Sequence, residues 1–546
     1  MNAESELEIQ GQRLSLTEVL AVSRLGRRVR LSDNPRFRAR LERSRNIIHE
    51  ALIAGKVVYG VNTNFGGMAD QLLDTNEVNY LQENLLWGLK CNVGQQLPLE
   101  IVRAAMLIRA NALSRGASGI RAELIERLLL FLNSGITPVV RCLGSLGASG
   151  DLIPLAQIAA SIIGLDSSYR VDFHGERMDA VAALEKVGLK SFSLEAKEGL
   201  SLINGTSVLT AMAAHCTCDA TLILNLALAI HSLYIQALHG RRDSFDPFVH
   251  ALKPHPGQVN IAQRTCALLE GSQLLADQDP VGGELMQDRY SIRCLAQYLG
   301  PITDGLDQIA AHVTTEMNSA DDNPLIDLHR GRIVHSGNFF AQYIAIGMDQ
   351  LRYYMALVAK HLDIQISLLV TPEFSRGLPA SLAFEDGSPV KFGLKGLQIC
   401  GNSILPRLLH LGQAIVPFFP THAEQFNQNI NSQGFNSAFL AGESMDLMRY
   451  HLAVSCVFAV QAVEQRSFCQ QRSYLASDVL SPASAPLYET IYRVLQKEPS
   501  TMHPLVSRNS DQHLDEFVRA IYDDLKDPRS NLLGCVPSAL KGQQGA

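Results

Sequence analysis

The sequence predicts a mainly α protein, in which a long central helix bundle follows a smaller, mixed N-terminal domain. Three observations carry this. Residues 196–480 hold long helical runs poor in Gly and Pro, notably 206–239, 297–318, 342–369 and 435–468. Residues 1–195 instead alternate short apolar runs and turn signals, as in "GKVVYGVNTNFGG" and "GITPVVRCLGSLGASG", with amphipathic helical stretches at 100–114 and 120–134. The chain is 47% hydrophobic and 18% charged over 546 residues, which is lean in solvated surface and predicts an oligomer.

The division predicted along the chain is therefore a mixed domain (1–195), a helical bundle (196–480) and a helical appendage (481–546) that begins near "SPASAPLYETIY" and ends in the polar "KGQQGA". Within the bundle, the run 206–239 would be about 50 Å long as a helix. Its stretch "ATLILNLALAIHSLYIQAL" has the length and apolarity of a membrane span. Asn225, His231, Ser232 and Gln236 interrupt it and basic flanks are lacking, so it reads as a bundle core, with no membrane partner.

A net charge of -7 with scattered basic residues offers no stripe for a phosphate backbone, so nucleic acid is not an expected partner. The acidic start "MNAESELEIQGQ" has neither the basic nor the apolar part of a secretory signal, and the expectation is a cytoplasmic protein. Ten cysteines lack the paired spacing of disulfides or zinc sites. "HCTCD" (His215, Cys216, Cys218) is the nearest approach to a metal cluster; its spacing on a helix turns one side chain away, and the expectation is no metal.

The segment "GSLGASGDLIPLAQIA" at 144–159 concentrates the chemistry. A phosphate loop is a poor reading, because the glycines run into Asp151, whose charge repels phosphate. A plain turn in which Asp151 caps helix 152–164, with Pro154 in its first turn, explains those two residues only. A third reading uses the whole stretch. In a tight turn the Gly150 nitrogen attacks the Ala148 carbonyl, and loss of water, including the Ser149 hydroxyl, leaves a five-membered ring with an exocyclic methylidene. Such a ring is an electrophile, and a following helix N-terminus favours electron density arriving on it.

"GSLGASGDLIPL" resembles the prosthetic-group segment of the aromatic amino acid ammonia-lyase and aminomutase family. The resemblance extends over nearly the whole chain, through "VYGVNTNFGG" at 58, "EGLSLINGTSVLT" at 198, "QDRYSIRCLAQYLGP" at 287, "DDNPLID" at 321, "SGNFFAQY" at 336, "GLKGLQICGNSI" at 393 and "HAEQFNQNINSQG" at 422. Within the family it is most similar to bacterial phenylalanine ammonia-lyases. The resemblance implies a methylidene-imidazolone (MIO) group made autocatalytically from Ala148, Ser149 and Gly150, without metal or nucleotide. It also implies a helical homotetramer whose active sites draw residues from three chains.

Residue by residue, the resemblance implies that Tyr59 is the catalytic base, on a glycine-rich loop able to close over substrate. Tyr290 matches the second active-site tyrosine, and Arg293, on the same side of a helical turn, fits the substrate carboxylate with its planar fork of donors. Asn204 matches the amide that bonds the prosthetic ring. Gln287, Asn323 and Gln428 match polar groups around amine and carboxylate, and Lys395 and Glu424 the charged positions near the amine. The ring end of the pocket is expected from Leu85, Trp87, Gly88 and Leu89, with Phe340 beside them.

Three departures stand out. At Gly88, phenylalanine enzymes carry Phe and tyrosine enzymes His, so either the pocket opens to larger aromatics or a neighbour such as Trp87 or Phe340 fills it. Asn62 and Asn64 replace the Thr or Ser and the Gly usual in the closing loop, where Asn is expected to accommodate left-handed backbone. Ala341 stands where Gly is common.

The function implied is deamination of an aromatic L-amino acid, phenylalanine first, with tyrosine or a larger aromatic as alternatives, to a trans-arylacrylate of the cinnamate type and ammonia. Histidine is disfavoured, since the histidine enzymes place an acid-containing motif where "AEQFNQNINSQG" stands. The nearest rival is a 2,3-aminomutase giving a β-amino acid. A non-catalytic helical scaffold and a fumarase-like lyase are the readings from other classes; Tyr59, Ser149, Arg293 and Glu424 speak against the first, and the lack of a flexible serine loop against the second.

Overall fold

Long, periodic apolar runs produce long helices, and the computed structural model bears this out. It describes residues 6–74, 77–276, 286–384, 391–418, 422–508 and 513–536, so the polar end "KGQQGA" lies outside the described residues. The expected runs appear as helices Leu99–Leu113, Ala122–Asn133, Ser207–Ala237, Leu295–Met317, Gln342–Leu369 and Gly434–Gln471. Strands are short: the parallel pair Leu7–Ile9 and Val29–Leu31, the antiparallel pairs Val93–Gln96 with Arg141–Leu143 and Leu325–Asp327 with Arg332–Val334, and a three-stranded antiparallel sheet.

Local chemistry sets the element ends. Asn34 accepts from the Arg36 and Phe37 amides and Pro35 occupies the first turn, starting helix Pro35–Ile53. Gly164 (φ +65) closes helix Leu152–Ile163 in a left-handed backbone that a side chain would strain. The most apolar window of the helical stretch Glu198–Ala237 is 89% buried, as a bundle core requires.

The chain groups into two compact units. The first comprises residues 1–217, 309–349 and 414–442, and holds the small strands and the 144–151 turn. Its core includes Ile47, Ile48, Val58, Val61, Val78 and Ile326, so the helix Pro35–Ile53 and the start of the 58–67 loop share one apolar cluster. The second unit comprises residues 218–308, 350–413 and 443–546. There His231 bonds Gln365 at 2.7 Å, and Glu464, fully buried, accepts from the Tyr488 and Tyr492 hydroxyls and the Leu505 amide.

In the first unit His215 lies 3.0 Å from the Ser23 hydroxyl and 3.4 Å from the Glu100 carboxylate, and Cys216 is buried; Cys218, the first residue of the second unit, is buried as well. Both ring nitrogens of His215 thus have a polar neighbour.

Candidate active site

The turn 144–151 links strand Arg141–Leu143 to helix Leu152–Ile163, and two segments of the same unit press on it. On one side the Ser432 hydroxyl and the Gln433 amide donate to the Gly147 and Leu146 carbonyls, at 2.9 and 3.0 Å. On the other lies Asn204-Gly205-Thr206. Gly150 has φ +68, and a Cβ there would overlap the Gly205 carbonyl, so both conformation and space demand glycine. The Asp151 amide donates to that carbonyl at 2.7 Å.

Two predicted amides meet at Ser149. Asn204 Nδ2 donates to the Ser149 carbonyl and Gln428 Nε2 to its hydroxyl, each at 3.0 Å. Asn204 comes from the end of helix Glu198–Ile203, whereas Gln428 sits on a tight hairpin bridged from Ala423. Ala148 is buried.

Asp151 does not behave as the plain-turn reading requires. It stands at the N-cap of helix Leu152–Ile163 yet its side chain makes no cap there, because its backbone (φ -105, ψ 50) directs the carboxylate elsewhere. Oδ2 instead accepts from the Val208 and Leu209 amides, at 2.9 and 2.8 Å, at the start of helix Ser207–Ala237, and Oδ1 from the Ser145 hydroxyl at 3.0 Å. One carboxylate thus joins the turn to the N-terminus of the long helix. Complete burial raises its pKa to about 7, against the pull of those three donors.

Tyr59 is half-buried, and its phenol oxygen accepts from the Gly66 amide at 3.0 Å. Burial raises the phenol pKa, the Gly66 hydrogen bond lowers it, and the Glu424 charge raises it again, for a net upward shift. Glu424 reaches this point on strained backbone: Glu424, Gln425 and Phe426 have φ +50, +52 and +64, three consecutive left-handed residues. A Cβ on Gly66 would overlap the Glu424 carboxylate.

The 58–67 loop also corrects an expectation. Neither Asn62 nor Asn64 is left-handed. Both use their amides: Asn62 accepts from the Val58 amide at 2.7 Å and donates to the Lys56 carbonyl at 2.9 Å, while Asn64 accepts from the Phe65 amide at 2.9 Å. Both asparagines thus shape the loop by side-chain hydrogen bonding rather than by a left-handed backbone.

Gly88 ends helix Val78–Gly88, and a Cβ there meets nothing within 4 Å. Trp87 does not fill that space. Its ring packs 5.9 Å from Tyr169, with the Lys90 ammonium 4.9 Å away. Leu85 and Leu89 flank it half-buried, and Phe340, also half-buried, follows a turn closed on Gly337. Asn323 accepts from the Ser336 amide at 2.7 Å and so ties "DDNP" to the segment before Phe340. Ala341 is buried.

Gln287, Tyr290, Arg293 and Lys395 belong to the second unit. Tyr290 is 71% exposed, and the Arg293 guanidinium lies 4.5 Å over its ring, which bears out their shared side of the helical turn. Gln287 and Lys395 are exposed.

Residues that the sequence reading passed over complete the first unit's polar core. Arg109, 1% exposed within the apolar helix Leu99–Leu113, donates to the Asp321 carboxylate at 3.0 Å and to the Ser201 and Asn204 carbonyls. Asp321 in turn accepts from the Thr206 amide at 2.6 Å. Lys197 pairs with Asp322 at 2.7 Å nearby. The signal was present: an arginine in the run "AAMLIRANAL" must find buried partners.

Comparison with known proteins agrees with this geometry. The family profile described as aromatic amino acid lyase matches residues 14–492. The chain is 46% identical to a phenylalanine ammonia-lyase of Nostoc punctiforme over 96% of its own length and 93% of that protein's. It is 44% identical to an aromatic ammonia-lyase of Loktanella atrilutea over 95% and 96%. Among solved structures, the phenylalanine aminomutase of Pantoea agglomerans superposes with a TM-score of 0.86 at 29% identity, covering 96% of this chain and all of that one.

Proposed function

The chain belongs to the aromatic amino acid lyase family, and from that premise we propose that it removes ammonia from L-phenylalanine or a larger aromatic L-amino acid to give the trans-arylacrylate. The observation that carries the reading is the turn at Ala148-Ser149-Gly150. It is buried at Ala148 and Gly150, held in left-handed conformation at Gly150, and gripped at the half-buried Ser149 by Asn204 and Gln428. These features fit an MIO group formed from the three residues, since a ring between 148 and 150 needs an unhindered Gly150 nitrogen and a chain already folded back on itself.

The ring supplies an electrophile for the substrate's amine. The chain's own residues do the rest. Tyr59 takes the proton from the β-carbon, and the Gly66 amide holds its oxygen in place. Burial and the Glu424 charge raise the phenol pKa, and positive charge from the substrate ammonium and Arg293 would counter that rise. Arg293 holds the carboxylate in its fork, with Tyr290 against it, and Gln287 and Asn323 complete that end. Glu424 and Lys395 set the charge around the amine. The side chain enters beside Leu85, Trp87, Gly88, Leu89 and Phe340.

The exposure of Tyr290, Gln287 and Lys395 supports a homotetramer in which those residues serve a neighbouring copy's Tyr59 and Ser149. Cross-complementation reads this directly: mixed Tyr59→Phe and Arg293→Met chains regain activity only if sites are shared.

A 2,3-aminomutase is the second reading, favoured by the likeness to the Pantoea agglomerans structure. Incubation with Phe, Tyr, Trp, Dopa and His, with chromatography of the products, separates the possibilities. Arylacrylate from the carbocyclic substrates is expected; a β-amino acid as main product establishes the aminomutase, and fastest turnover of His contradicts the pocket assignment.

A further inference from the structure

Gly205 lies between two groups that leave no room for a side chain. On one face it meets Gly150, whose missing Cβ is the space taken by the Gly205 carbonyl. On the other, a Cβ on Gly205 would overlap the Arg109 guanidinium and come within 2.8 Å of both the Asp321 carbonyl and carboxylate. No left-handed backbone is involved at Gly205, so its need for glycine comes from close approach alone. The order in space is therefore Gly150, Gly205, then the Arg109–Asp321 pair.

We propose that Arg109 and Asp321 are positioning residues for ring formation: they hold Asn204-Gly205-Thr206 as a rigid wall that keeps Ser149 and Gly150 folded toward Ala148. The inference rests on the ring-forming reading above and adds what drives the closure. Arg109 grips the Ser201 and Asn204 carbonyls at the C-terminal end of helix Glu198–Ile203, and Asp321 grips the Thr206 amide on the far side of Gly205. The wall is thus fixed at both ends. From it the Gly205 carbonyl takes the Asp151 amide at 2.7 Å, and the Asn204 amide takes the Ser149 carbonyl at 3.0 Å.

The step balances without an oxidant. The Gly150 nitrogen bonds to the Ala148 carbonyl carbon. The carbonyl oxygen leaves as water with the Gly150 and Ser149 amide hydrogens, forming a carbon–nitrogen double bond to the Ser149 nitrogen. The Ser149 hydroxyl leaves as a second water with the Ser149 α-hydrogen, forming the exocyclic double bond. Two waters are lost and no electrons are transferred in or out.

A wall of this kind acts on rate. A misplacement of about 1 Å costs about 100-fold when geometry must be near that of attack. The Lys197–Asp322 pair is the internal comparison: equally buried, its ammonium bonds the Ser118 carbonyl and the Ser201 hydroxyl rather than the 204–206 backbone.

The test follows closure by intact mass on freshly synthesised protein, with circular dichroism confirming that each variant is folded. Arg109→Lys, which keeps the charge but not the fork, and Asp321→Asn are expected to fold and to lose their two waters about 100-fold more slowly than the unaltered chain. Lys197→Met is expected to close at the unaltered rate in its folded fraction. Should the Arg109 and Asp321 variants not fold, Gly205→Ala reads the same wall from its other face and is expected to slow closure as much. Folded variants of Arg109, Asp321 or Gly205 that close as fast as the unaltered chain overturn the proposal, as does Lys197→Met slowing closure equally. An unaltered chain that never loses two waters overturns the ring-forming reading instead.

Discussion

Gly88 shows how a single missing side chain sets a prediction. A Cβ at this position meets open space, and its backbone lies outside the left-handed region, so a larger residue at the end of helix Val78–Gly88 costs no strain. Gly88→Phe is therefore expected to change stability by less than about 1 kcal/mol, the helix-propensity scale. It should also fill the ring end of the pocket. Turnover of phenylalanine is expected to persist while that of tyrosine and Dopa falls at least about tenfold, the cost of about 1.4 kcal/mol in fit. Equal losses on all substrates would remove Gly88 from the specificity argument. At this scale the sequence was informative wherever a residue's partners are fixed by its own turn, as for Tyr290 and Arg293. It was silent on Asp151 and Arg109, whose partners lie 57 and 212 residues away in the chain.

The helices were the most legible elements, since a long apolar periodicity needs no knowledge of neighbours: 342–369 is found as Gln342–Leu369, and 206–239 as Ser207–Ala237. The hairpin at 423–428 was not legible as structure, because three left-handed non-glycine residues contradict every local preference and persist only through surrounding contacts. Element packing also carries a pH prediction. Glu464, on helix Gly434–Gln471, is bonded to two tyrosines of helix Ala485–Val494 and to the Leu505 amide, and burial raises its pKa from 4.5 to about 7. The folded state then binds a proton that the unfolded state releases, so this stabilisation is full below pH of about 4.5, is lost as pH rises to about 7, and is constant above. Its size is about 3 kcal/mol at 1.36 kcal/mol per pH unit. Glu464→Gln is expected to flatten the fall in melting temperature over that window. An unchanged slope would assign the proton elsewhere, Asp151 and Glu316 being further carboxyls that burial raises to about 7.

For the molecule as a whole, the motifs predicted the family, yet the sequence alone did not reveal how its segments group. The two units are each assembled from three separated stretches, with divisions inside the long helices at 217 and 442 rather than where composition changes. Composition reports solvation and turn chemistry, whereas grouping depends on contacts between distant stretches. The same limit applies to Tyr59 and Tyr290, which the motifs name together and which belong to different units. All of the proposed chemistry depends on the chain becoming electrophilic at 148–150. Mass spectrometry of the intact, folded protein, followed by peptide mapping, tests this most directly. The account predicts a chain lighter than its sequence by two water molecules, with the whole deficit in the peptide containing Ala148-Ser149-Gly150. A folded, active chain of full mass, with that peptide unmodified, would contradict it.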